Sequence, residues 1–94
     1  MEEKFVEAWM QAREKAQRIG VRLRPMEAEQ ALQTAHRCLR GHRESDGFQI
    51  LKDKHHLELT LEALAVDKRF TGLFSDEEAN TALTRLMNAE YYSI

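Results

Sequence analysis

Apolar side chains recur at Phe5, Trp9, Ala12, Ala16 and Ile19, steps of four and three that hold one seam on one side of a helix. Val6 and Met10 widen that seam. Glu2 and Glu3 stand where the positive end of a helix dipole favours them, and Lys15 and Arg18 stand at the other end. The pattern predicts a helix over 2–19. Gly20 follows as a left-handed residue, with Val21 folding back onto Ala16 as in a Schellman ending.

After the connection 21–24, Pro25 suits the first helical position because it has no N–H to leave unpaired. Glu27 and Glu29 come next, Arg37 and Arg40 close the segment, and Gly41 stops it. This predicts a second helix over 25–40, antiparallel to the first. Its inward face would be Ala28, Ala31, Leu32, Ala35 and Leu39, with Cys38 alongside.

The run Leu57-Glu58-Leu59-Thr60-Leu61-Glu62-Ala63-Leu64-Ala65 is the densest aliphatic stretch of the chain. Its alternation suits a strand, but its composition is Leu, Glu and Ala, and Leu57, Leu61 and Leu64 share a helical face. A third helix is therefore predicted over 47–66, opened by Asp46 as cap with Gln49 at the capping-box position. The competing reading pairs Phe48–Leu51 with His56–Leu61 as a hairpin around 52–55.

Phe70, Leu73 and Phe74 form an apolar elbow around Thr71-Gly72. Ser75 and Glu78 then make an S-x-x-E capping box, with Phe74 and Ala79 placed as a hydrophobic staple. A fourth helix over 76–90 would turn Ala79, Ala82, Leu83, Leu86 and Met87 inward. Together these elements define an all-α, single-domain bundle of four main helices.

Length and composition suit that reading. A chain of 94 residues has room for one domain and buries only about two-thirds of its unfolded surface, so association with a partner would add to a small stability margin. Its 43% hydrophobic and 32% charged residues, with one Pro and four Gly, are those of a globular domain. Cys38 is the only cysteine, which excludes an intramolecular disulfide and points to a reducing, cytoplasmic setting. No apolar run has the length of a membrane span, and Glu2-Glu3 is unlike a signal peptide.

Charge is uneven along the chain. Residues 1–43 carry a net +3 and residues 44–94 a net −5. The two halves can neutralise each other, or the first can face an acidic partner.

Candidate chemistry is sparse. His36, Cys38 and His42 are close in sequence, but positions two apart on a helix diverge and no second motif completes a tetrahedral zinc site. His55, Glu58 and Glu62 would share a helical face, which without matching ligands from other helices reads as solvated surface. Cys38 with a histidine, or Ser45 with Asp46 and His42, are residue types rather than a catalytic geometry. Phosphate-loop, G-x-S-x-G and H-E-x-x-H motifs are missing. The expectation is a non-enzymatic chain with no metal or cofactor.

Two surfaces remain. Trp9 and Met10, with Tyr91, Tyr92 and Ile94, exceed what a small core requires and belong to residue types enriched at protein interfaces, so a protein partner, or a homodimer, is the first expectation. The alternative is a nucleic-acid interface built from Arg18, Arg22, Arg24, Arg37, Arg40, His42 and Arg43, binding phosphates in a salt-dependent way. Interrupting acidic residues, a lack of interleaved aromatics and a pI of about 6.1 count against that alternative.

Overall fold

A computed structural model describes residues 2–41 and 43–89, without the side chain of Thr71. All the regular structure among these residues is helical: α1 (Glu2–Arg18), α2 (Ala31–Arg40), α3 (Phe48–Asp53), α4 (Leu61–Ala65) and α5 (Asp76–Asn88), linked by 3₁₀ turns at Ala28–Gln30, Leu57–Leu59 and Lys68–Leu73. The chain is thus all-α, and the stretch from Phe48 to Leu61 is not a hairpin.

The first helix follows its apolar seam, burying Phe5, Trp9, Ala12 and Ala16. Its ending is the Schellman motif anticipated from Gly20. The Val21 N–H donates to the Ala16 carbonyl at 3.0 Å and the Gly20 N–H to that of Gln17 at 3.1 Å, with Gly20 at φ 93°.

The second helix starts six residues later than its charge pattern suggested. Proline restrains the residue before it to extended backbone, and the segment ahead of the helix is held by tertiary bonds instead. The Arg24 N–H donates to Asp46 at 2.6 Å, and the Arg13 guanidinium donates to the Arg24 carbonyl. Ala28 consequently stays exposed, while Ala31, Ala35 and Leu39 are buried.

The predicted third helix is three separate pieces. Gly47, at φ 79°, precedes α3 in place of a side-chain cap. Asp46 does not cap, because its carboxylate is engaged by Arg24, and Gln49 reaches Glu44 at 2.6 Å instead. At the other end His55 takes φ 63°, and the His56 N–H donates to the Leu51 carbonyl at 2.8 Å, a Schellman ending with histidine where glycine is usual. Thr60, extended at ψ 158°, then caps α4 by accepting the Ala63 N–H at 3.2 Å while donating to the Leu57 carbonyl at 2.7 Å. The breaks have a packing reason. Leu51 packs with Ala16 and Val21, Phe48 and Leu57 pack with Leu86, and Leu61, Leu64 and Ala65 join the main core. One straight helix would have to present these three groups along a single stripe.

That main core centres on Phe5, whose ring meets Phe70 edge-on at 5.5 Å, Phe74 at 5.3 Å and Trp9 at 5.8 Å. The helix α5 closes it from the other side. Its capping box is present in both directions, with the Glu78 N–H donating to Ser75 Oγ at 3.1 Å and the Ser75 N–H to Glu78 Oε1 at 2.9 Å.

The inward face of α5 differs from the expected one. Ala82 and Leu86 are buried, but Leu83 and Met87 are 37% and 60% exposed. Glu78, 2% exposed, and Arg85 occupy the inward positions instead. A purely apolar criterion misplaces the face because these two charged side chains find partners on α2 and α4.

Candidate functional site

Two buried polar joints fix the orientation of α5, and with it the surface the helix offers. In the first, Glu62 is fully buried among three donor bonds. Its Oε2 accepts the Ser45 N–H at 2.9 Å and Arg85 Nη1 at 3.1 Å, and its Oε1 accepts the Ser45 hydroxyl at 2.5 Å. Arg85 Nη2 reaches on to the Cys38 carbonyl at 3.2 Å and the Gly41 carbonyl at 3.0 Å, pairing carbonyls at the negative end of α2. The joint therefore ties the end of α2, the 41–47 connection, α4 and α5 together. The expectation that Glu62 lies on a solvated face with His55 and Glu58 is corrected: the helix that would have aligned them is broken at His55 and again at Thr60.

In the second joint Glu78 Oε2 meets His36 Nδ1 at 2.6 Å and Arg40 Nε at 3.3 Å. Burial raises the Glu78 carboxyl, but the Ser75 N–H, His36 and the Ser75 hydroxyl outweigh it and hold the group below its ordinary value. His36 also lies against Phe74, the ring centres 5.3 Å apart.

These joints take up the residues that offered chemistry on paper. The Ser45 hydroxyl hydrogen-bonds Glu62 rather than an imidazole. Burial, followed by the nearby Glu62 carboxylate, pushes the Cys38 thiol up, and Arg85 Nη1 at 3.8 Å only partly offsets this. No group of three or more His, Cys, Asp or Glu side chains suited to a metal ion occurs among the described residues. Nor is any described helix long and apolar enough to cross a membrane.

Of the expected partner surface, Trp9 is corrected to a core position. Its ring is 5% exposed, packed on Phe5, with the Arg13 guanidinium 5.9 Å from its centre. Met10 is half-buried beside a shallow groove shared with Glu7, Glu14 and Met26. Tyr91, Tyr92 and Ile94 lie outside the described residues.

The basic cluster is divided. Arg18 pairs with Glu14 at 2.7 Å on the surface of α1, and Arg40 with Glu78. Arg22 is exposed, and His42 lies outside the described residues. Arg24, Arg37 and Arg43 do line one open groove of about 940 Å³, but Glu44 and Asp46 line it too.

The apolar surface that the sequence did not single out is the outer face of α5. Leu83 and Met87 stand one turn apart there, and among the described residues Ile50 on α3, 44% exposed, is the other large exposed apolar side chain. The only sequence signal for the α5 face was indirect: Glu78 and Arg85 share a helical stripe with Ala82 and Leu86, so that charged positions compete with apolar ones for the inside. Compared with protein-family models, curated proteins and solved structures, the chain matches none.

Proposed function

We propose that this chain is a small, non-enzymatic interaction module of the cytoplasm that binds another protein through the outer face of α5. The observation that carries the proposal is the exposure of Leu83 and Met87, 37% and 60%, on a helix that cannot roll to hide them. Rolling α5 would drag Glu78 and Arg85 out of their buried joints, and breaking a buried pair costs about 3–5 kcal/mol. Complete burial of such a side chain is worth about 1.5–3 kcal/mol, and covering the exposed parts of Leu83 and Met87 by a partner returns roughly half of that for each. In the sequence Tyr91 follows Met87 by four positions, a residue type suited to an interface core. The engaged Ser45 hydroxyl and the raised thiol of Cys38 support the non-enzymatic part of the reading. The solitary, half-buried thiol of Cys38 supports a reducing compartment.

Sedimentation equilibrium and affinity capture from source cells, comparing the wild-type chain with a Leu83→Gln/Met87→Gln variant, test the reading. A dimer that becomes monomeric in the variant identifies a second copy as partner. A different protein captured by the wild type and lost by the variant, at unchanged circular dichroism, identifies a heterologous one. Equal capture by both proteins, or retention on DNA that falls steeply with salt and requires Arg37 and Arg43, would replace the proposal with the nucleic-acid reading or with another face.

A further inference from the structure

A second concavity, separate from the outer face of α5, opens between α1, the 23–26 connection, α2 and the 59–61 turn, with a volume of about 270 Å³. Its floor is mainly apolar, formed by Trp9, Leu51 and Leu61 with the buried Thr60, and the half-buried Leu23, Met26 and Leu59 form its walls. Its mouth is charged. Arg13 and Arg24 line it together with Asp46, which leaves an excess of one positive charge.

The arrangement of the three charged groups matters more than their number. Asp46 is engaged by the Arg24 N–H, not by the Arg24 guanidinium. Arg13 spends a donor on the Arg24 carbonyl, so its own contact is to a neutral acceptor. Burial lowers the Arg13 guanidinium from its ordinary value, and Asp46 only partly restores it. Both cations therefore retain donors at the rim of an apolar hollow.

We infer that this hollow is a binding site for a small monocarboxylate with an apolar body, its carboxylate held by Arg13 and Arg24 and its body seated against Leu51, Leu61 and the lining part of Trp9. Size sets the class. A dry cavity of about 150 Å³ holds benzene, and one of about 270 Å³ has room for nearly twice as much, an aryl or medium-chain alkyl acid of roughly ten heavy atoms. Charge sets the head group, because a planar carboxylate accepts paired guanidinium donors. An ammonium head would place like charges together, and a neutral amide would forgo the charge-assisted bond.

The chain's single tryptophan lines the hollow and serves as the reporter. Titration of the full chain with 3-phenylpropionate, monitored by Trp9 emission, should give a saturable change. Binding of 3-phenylpropanamide, of equal size and uncharged, should be weaker by about tenfold or more, the loss of one charge-assisted hydrogen bond. The Arg24→Gln variant, whose altered group is exposed and whose backbone N–H still reaches Asp46, should weaken carboxylate binding by a similar factor at unchanged melting temperature. An Arg13→Gln variant should do likewise, and its circular dichroism separates lost binding from lost folding. No saturable change with the acid, equal binding of acid and amide, or a folded Arg24→Gln protein that binds as the wild type does would each overturn the assignment.

Discussion

Gly47 shows how much a single residue can be required to do. Its backbone sits at φ 79°, and a Cβ there would lie 2.7 Å from Leu23 Cδ2 and 3.0 Å from Val21 Cγ1. Gly20 has a similar φ of 93° but open space around it. Both should lose about 1–2 kcal/mol on substitution by alanine, the cost of left-handed backbone for a residue with a Cβ. Gly47→Ala should lose more, because Leu23 and Val21 must also shift; urea denaturation of the two variants would rank them. His55, at φ 63°, is the converse case. Replacing it with glycine relieves the left-handed strain at some cost in chain entropy, and His55→Gly should gain about 0.5–1 kcal/mol in the same assay. None of these requirements is complete in the local sequence. Gly20 was legible because a helix ends there, whereas Gly47 is tied to side chains more than twenty residues away and His55 occupies a position where glycine would have been the signal.

Among the elements, α5 carried the clearest sequence signal and the largest departure from expectation. Its start is local chemistry, Ser75 with Glu78 three positions on, and both bonds of the box form. Ser75→Ala should therefore cost about 0.5–2 kcal/mol. The pH dependence belongs to the same element. Because the folded-state Glu78 carboxyl lies below its ordinary value of 4.5, its stabilising contribution is complete above that value and is lost as pH falls through the lower folded value. Melting temperatures taken through the acid range should fall less steeply for Glu78→Gln than for the wild type; parallel curves would show that the carboxylate contributes nothing. The departure concerns which face points inward. Counting apolar residues turns Leu83 and Met87 to the core, yet the partners that pull Glu78 and Arg85 inside are His36, Arg40, Cys38 and Glu62, all distant in sequence. The middle of the chain departs for a related reason. Its helical character was legible in Leu, Glu and Ala, but the breaks at His55 and Thr60 follow from three separate apolar clusters that no local pattern encodes.

For the whole molecule, the buried Glu62–Arg85 joint is the feature on which both fold and proposed function depend. Removing the guanidinium alone, as in Arg85→Met, leaves a carboxylate with no exposure and should cost about 3–5 kcal/mol. Adding Glu62→Gln removes the orphaned charge, so the double variant should be more stable than Arg85→Met alone. Additive losses in that double-mutant cycle would mean the two groups are not coupled. The charge asymmetry along the chain has a matching explanation at this scale. His36 and Arg40 of the net positive first half meet Glu78 of the net negative second half, while Asp46 is held by the Arg24 backbone N–H. This internal use of charge is part of why the arginine cluster is divided. The rotation of α5, which puts Leu83 and Met87 outside, decides which surface the molecule offers. Methyl NMR with a soluble paramagnetic agent measures that rotation. The Leu83 and Met87 methyl signals should broaden strongly while Ala82 and Leu86 stay protected; protected Leu83 and Met87 beside broadened Ala82 would contradict this orientation.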